Sequence, residues 1–247
     1  MLAGTADLAA LSRRAPKLAG FEGEALTLSG VELFQATWEL GGLAPEAPFP
    51  PALAPTLPVL AVLSIRRGDS GPLGPFSVAE LRLSCRSGVR PRQLLVASFA
   101  EGDAARAALN ERFAFGAAAA RVRLERFYDR VEVSIERDGA RIFEASGLAP
   151  LPLATADLQF FSSVHAAETP KGLRLVQIDG ELAAARAERA EPRLACFAAD
   201  AFGLPGARLA HPVAAFVAVG DWTLPHIRFV SRADVPAFAG TERVSPH

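Results

Sequence analysis

Along most of this chain the apolar residues alternate with polar ones in the two-residue rhythm of a strand, not the three-to-four rhythm of a helix. Leu26 to Leu40 carries Val31, Leu33, Ala36 and Trp38 and predicts a strand or hairpin arm. Leu57 to Ile65 is a short apolar run of strand length. Phe76 to Cys85 sets Phe76, Val78, Leu81 and Leu83 against Ser77, Glu80, Arg82 and Ser84, with a slip of phase near Ala79. Leu94 to Phe99 is a further apolar run. Leu124 to Ile135 alternates again, with Val131, Val133 and Ile135 opposite Arg130, Glu132 and Ser134. Asp138-Gly139 is a hairpin turn dipeptide leading into Ala140 to Glu144. Leu158 to Val164, Gly172 to Leu182, Glu191 to Ala199 and Val213 to Val230 complete the strands.

Two segments break the rhythm towards helix. Asp103 to Phe113 spaces Ala105, Ala108, Leu109 and Phe113 helically, with Asp103 placed to cap. Near the N-terminus Asp7 can cap a turn through Leu8 and Leu11 that Pro16 stops. The prolines from Pro45 to Pro55 exclude regular structure, since each lacks a donor and constrains its neighbour. Many strands and few helices predict a mostly β, α+β fold, an antiparallel barrel or sandwich.

Composition narrows the function. The chain has 247 residues and half are hydrophobic, enough for a sizeable core. A formal net charge of -1 leaves no nucleic-acid footprint. Lysine occurs only at Lys17 and Lys171, and arginine, whose guanidinium stays protonated, cannot replace it as a Schiff-base amine. Cys85 and Cys196 lie in no metal spacing and read as reduced thiols. His165, His211 and His226 have no paired-ligand spacing, so no metal site is expected. No signal-like N-terminus and no run of about 18 apolar residues is present, which predicts a cytoplasmic protein without a membrane span.

Several segments, in order, resemble the acetoacetate decarboxylase superfamily. Pro50-Pro51-Ala52-Leu53-Ala54-Pro55 is similar to its proline-rich turn. Gly74-Pro75-Phe76-Ser77-Val78-Ala79-Glu80-Leu81 is similar to its Gly-Pro-aromatic stretch ending in a glutamate. Arg112 to Leu124 resembles its lysine loop in context, Phe160-Phe161-Ser162-Ser163-Val164 the strand after its hairpin, and Pro212 to Pro225 its last strands. The resemblance implies a closed antiparallel barrel with a few helices, spanning 25–235 between a leader at 1–24 and a tail at 236–247. It also implies a homo-oligomer.

Aligned without a gap, Ala117 and Ala118 fall where the family has its two lysines. That family's decarboxylation proceeds through a lysine Schiff base whose amine must be neutral. Alanine supplies no amine, and Leu26 to Leu40 lacks the arginine the family carries near its first strand. The resemblance therefore implies a barrel that binds a small carbonyl or carboxylate ligand without the family decarboxylation and without a cofactor. Glu80 corresponds to a pocket glutamate and is the candidate catalytic group; on its strand it could equally be an exposed carboxylate. Arg66, next to Arg67, is a candidate carboxylate clamp or a solvated edge. Phe115, Ala117 and Ala118 would line an apolar floor, and Glu80 above such a floor would have its pKa raised. The alternative is a lyase or hydrolase acting on a small oxo acid with Glu80 as acid/base. The Ser162-Ser163 pair has no nucleophile-elbow context, and Arg121, Arg123, Arg126 and Arg130, interleaved with acids, read as a solvated strand face.

Overall fold

The computed structural model describes residues 2–21 and 23–244; Met1, Glu22 and the last three residues of the expected tail lie outside the described residues. In chain order the elements are α1 (Leu8–Arg14), β1 (Leu26–Gly41), β2 (Ala54–Pro55), β3 (Leu60–Gly68), β4 (Phe76–Ser87), β5 (Arg90–Glu101), α2 (Asp103–Phe113), β6 (Ala118–Ala119), β7 (Arg121–Arg126) and β8 (Arg130–Arg137). They continue with β9 (Ala140–Leu153), β10 (Ser163–Thr169), β11 (Gly172–Ile178), β12 (Glu181–Phe197), β13 (Arg208–Leu224), β14 (Phe229–Arg232), α3 (Ala237–Gly240) and β15 (Thr241–Arg243). The fold is mostly β. The expected leader carries α1 and places Leu18 in the core, and the expected tail adds α3 and β15.

One sheet holds all the strands, in the order β15-β14-β11-β10-β5-β4-β3-β1-β13-β12-β9-β8-β7, with β2 on β4 and β6 on β5. Pairing is antiparallel except where β5 meets β10 and β6. The expected closed barrel is corrected here: the ladder has two ends, β15 and β7. Side chains occupy backbone groups of β7 on its approach to the middle strands. Glu101 accepts from the Val122 amide at 3.1 Å, and Arg67 donates to the Leu124 carbonyl at 2.9 Å.

Local signals explain several elements. Asp7 accepts from the amides of Ala9 and Ala10 and caps α1. Asp138 and Gly139 both have positive φ, 53° and 77°, as a type I′ hairpin turn requires. Four expectations differ. The proline run read as excluding regular structure ends in β2, which pairs with β4. Asp103 is the first helical residue of α2, not its cap, which is Gly102. The alternation over 124–135 is broken by a turn at Phe127–Asp129 between β7 and β8, with Tyr128 fully exposed. The strand expected over 158–164 begins only at Ser163.

The sheet buries both faces of its central strands. On β3 and β4, Ala61, Leu63, Ile65, Ala79, Leu81 and Leu83 join a large apolar core with Trp38 and Phe99. The opposite face carries Phe76 and Val78 into a second core with Phe115 and Trp222. The phase slip expected near Ala79 is absent. The β3–β4 register runs without a break from Gly68↔Phe76 to Ala61↔Leu83, so Glu80 and Arg82 continue the row of Phe76 and Val78. Both are buried rather than solvated. Both cysteines are free, and burial pushes the Cys85 thiol up to about 12.

Candidate functional site

The second face of the central strands carries a compact polar cluster. Ser64 and Arg66 come from β3, Glu80 and Arg82 from β4, Gln35 from β1, and Ser163 and His165 from β10; all seven are buried. Strand alternation brings them to one side, since each strand gives every second residue to this face. The Arg66 guanidinium pairs with Oε1 of Glu80 and lies 4.6 Å from the Trp222 ring centroid. Nε of Arg82 stands 3.7 Å from Oε2 of Glu80, and its Nη2 donates to Ser64 Oγ at 2.5 Å. Ser64 in turn donates to Oε1 of Gln35 at 3.0 Å.

His165 is fixed in one tautomer. Its Nδ1 lies 2.8 Å from the Phe113 carbonyl, which can only accept, so Nδ1 carries the proton. Nε2 is then a lone-pair acceptor, and the Ser163 hydroxyl donates to it at 2.7 Å. The Phe115 ring meets the imidazole edge-on at 4.7 Å. This contact depends on the turn after α2, where Ala114 adopts φ 53°, a left-handed conformation that costs a non-glycine residue about 1–2 kcal/mol. That turn aims the Phe113 carbonyl at His165 and sets Phe115 beneath it.

The charges are unequal. Burial pushes Arg66 down to about 10, partly offset by Glu80, so it remains a cation at neutral pH. For Glu80, burial alone would raise the pKa, but Arg66, Arg82 and His165 outweigh it and the carboxyl lies below its ordinary range. The expected upward shift is therefore corrected: the sequence placed an apolar floor beside Glu80, whereas the fold places two guanidinium groups there. Burial lowers His165 to about 4, which leaves it neutral at pH 7. Two cations thus face one anion. Nε of Arg66, Nε of Arg82 and the Ser98 hydroxyl, across the ladder from Glu80, are buried without a hydrogen-bond partner.

Arg66, Glu80 and Phe115, three of the residues singled out from sequence, line one pocket together with Arg82, Ser163 and Trp222. Its volume is about 20 Å³, room for about one water molecule. Phe160 and Phe161 lie at its wall, and Phe161 is 42% exposed. Ala117 and Ala118 do not line it. Ala117 is buried in the core containing Phe115, its amide and carbonyl both bound by the Asn110 side chain at 2.6 and 3.1 Å. Ala118 pairs with Phe99 and packs against the other core. Arg67, Arg66's neighbour, faces away towards Glu32 and Asp69. Lys17 and Lys171 are both exposed.

Arg82, Ser163 and His165 went unread as site residues. Arg82 reads in sequence only as one of the polar positions of its strand, and an isolated His beside apolar residues gives no spacing signal. Two buried charges of opposite sign on one row of β4 were the available clue.

No family model and no curated protein sequence matches the chain. Solved structures do. Acetoacetate decarboxylase from Legionella pneumophila superposes with a TM-score of 0.67 at 15% identity, covering 87% of this chain and 88% of that one. The enduracididine biosynthesis enzyme MppR, in complex with pyruvate, gives 0.61 at 17% identity over 80% and 87%. An acetoacetate decarboxylase-like enzyme from Sphingomonas wittichii RW1 gives 0.60 at 13% over 83% and 92%. The chain therefore has the acetoacetate decarboxylase fold.

Proposed function

We propose that this chain, with the acetoacetate decarboxylase fold, binds a small carboxylate- or carbonyl-bearing ligand at the Arg66–Glu80–Arg82 cluster without forming a Schiff base. The observation that carries this reading is the buried surplus cation: two buried guanidinium groups share one buried carboxylate, the other acid lining the pocket, Glu181, being exposed, and the Nε–H groups of both arginines have no hydrogen-bond partner. A buried uncompensated charge is costly, and a ligand carboxylate would neutralise it with charge-assisted hydrogen bonds. Pyruvate, held by the fold neighbour MppR, has this chemistry. Ala117 and Ala118 offer no amine, and both lysines are exposed away from the cluster. Entry of a ligand requires Phe160 and Phe161 to swing outward, because the closed pocket holds about one water.

The test is calorimetric titration with pyruvate and acetoacetate. Binding is expected, with at least a tenfold loss in Arg82→Met, which leaves the Arg66–Glu80 pair intact. Borohydride with either ligand is expected to trap no adduct; a stoichiometric adduct at Lys17 or Lys171, or binding unchanged in Arg82→Met, would overturn the proposal. A second reading is a lyase or hydrolase with Glu80 as acid/base. Its support is that Glu80 is buried at a pocket with Ser163, whose hydroxyl is bound to His165. Held ionised, Glu80 could serve only as a base. Turnover of oxo acids that disappears in Glu80→Gln, with the variant still folded, would favour it.

A further inference from the structure

A wide concavity lies beyond this cluster, at the end of the β4–β5 hairpin. It runs between the β4–β5 hairpin tip and α3, with a volume of about 680 Å³, within the ~300–1,000 Å³ typical of ligand sites. Its walls are apolar: Leu53, Val89, Phe229 and Phe238 line it with Pro51 and Pro236. Val89 is 84% and Phe238 87% exposed, an uncommon position for a large side chain in water. The prolines lack N–H groups, so this part of the wall offers an extended peptide no donors.

The charge at this groove has one sign. Arg86, Arg90 and Arg92 all line it. Among the described residues none of the three is in an ion pair, although most other arginines of the chain are. Arg92 reaches Gln177 Oε1 only at 3.3 Å, and its Nε is buried with no partner. The acid nearest in influence, Asp179, is engaged by Arg228 at 2.9 Å. An apolar trough with unpaired guanidinium groups matches a ligand with an apolar body and one anionic end.

We propose that this groove is a second binding site, for a long-chain fatty acid, its alkyl chain against Phe238, Val89 and Phe229 and its carboxylate on Arg86, Arg90 and Arg92. The alkyl chain supplies the hydrophobic contact area, and the head supplies the charge that the three arginines lack.

The test uses the full chain and a fluorescent fatty acid, cis-parinaric acid, displaced by palmitate or by hexadecanol, which has the same chain without the charge. Saturable binding at one site is expected, with palmitate at least ten times stronger than hexadecanol. Arg86→Gln/Arg90→Gln/Arg92→Gln and Phe238→Asp should each weaken binding at least tenfold, while Arg82→Met, in the other site, should leave it unchanged. These groove residues are exposed or half-buried, and thermal unfolding checks that the variants fold; should one not, the palmitate–hexadecanol ratio on the unaltered protein still decides. No saturable binding, equal affinity for the alcohol, or full binding by the triple variant would overturn the proposal. So would a dimer by light scattering that Phe238→Asp dissolves and that excludes the fluorescent acid, because the groove would then seat a second copy of the chain.

Discussion

Over the middle of β3 and β4 the two faces are both buried and chemically opposite. On one, Ala61, Leu63, Ile65, Ala79, Leu81 and Leu83 pack into an apolar core; on the other, Ser64, Arg66, Glu80 and Arg82 form the polar cluster. The first face stabilises by removing apolar surface from water, at about 25 cal/mol per Å². On the second, two cations and an anion lose their hydration, and their mutual attraction repays that loss only where geometry is favourable. Here it is incomplete, with two guanidinium Nε groups making no hydrogen bond. Burial therefore stabilises through apolar area on one face and leaves hydrogen-bonding groups of charged side chains unsatisfied on the other.

The largest expected effect that would break this comparison is on the charged face. Arg66→Ala leaves Glu80 with only the 3.7 Å contact to Arg82. A loss of about 3–5 kcal/mol in urea unfolding is expected, as for removing one partner of a buried pair. A loss below about 1 kcal/mol would mean that water reaches the pair and that the face is not dry. Leu81→Ala on the apolar face should cost about 2–5 kcal/mol by opening a cavity, with no change in pyruvate binding.

Acid should separate the faces next. Between pH 6.5 and about 4 the unfolded chain protonates His165 while the folded chain, with its pKa lowered to about 4, does not. Stability is then expected to fall by about 3 kcal/mol as pH drops through this window. Glu80, lowered in the folded state, adds stability that is present above the ordinary carboxylate pKa and lost as pH falls further, through its folded value. His165→Gln should flatten the first part of the curve and leave the second; an unaltered profile would show that His165 is not the group responsible.

Replacing the cluster outright sharpens the contrast. Arg66→Met/Glu80→Leu/Arg82→Leu is expected to be neutral or to gain ~1–4 kcal/mol, since well-packed apolar groups often equal or exceed a buried ion cluster. Pyruvate binding should vanish in the same variant. The smallest effect lies outside both faces: breaking the exposed Arg123–Glu125 pair at 3.0 Å should change stability by less than about 1 kcal/mol, and less still at high salt.

Strand rhythm, the Asp138-Gly139 turn, the Asp7 cap and the span of α2 were legible in the sequence because each depends on residues close together in the chain. So was the confinement of lysine to Lys17 and Lys171. The partners of Glu80 were not legible. Alternation shows that Glu80 and Arg82 share a face, but the apolar neighbours suggest a phase slip near Ala79 and leave open whether Glu80 faces inward or outward. Which face is covered depends on strands β1, β10 and β13, brought together from distant parts of the chain. The same holds for the open ladder, where side chains of Glu101 and Arg67 occupy backbone groups of β7. The sequence determined the local elements and the chemical inventory. Tertiary structure alone decided which charges lost water together and which pKa values moved, because desolvation and Coulomb energy depend on distance in space rather than along the chain.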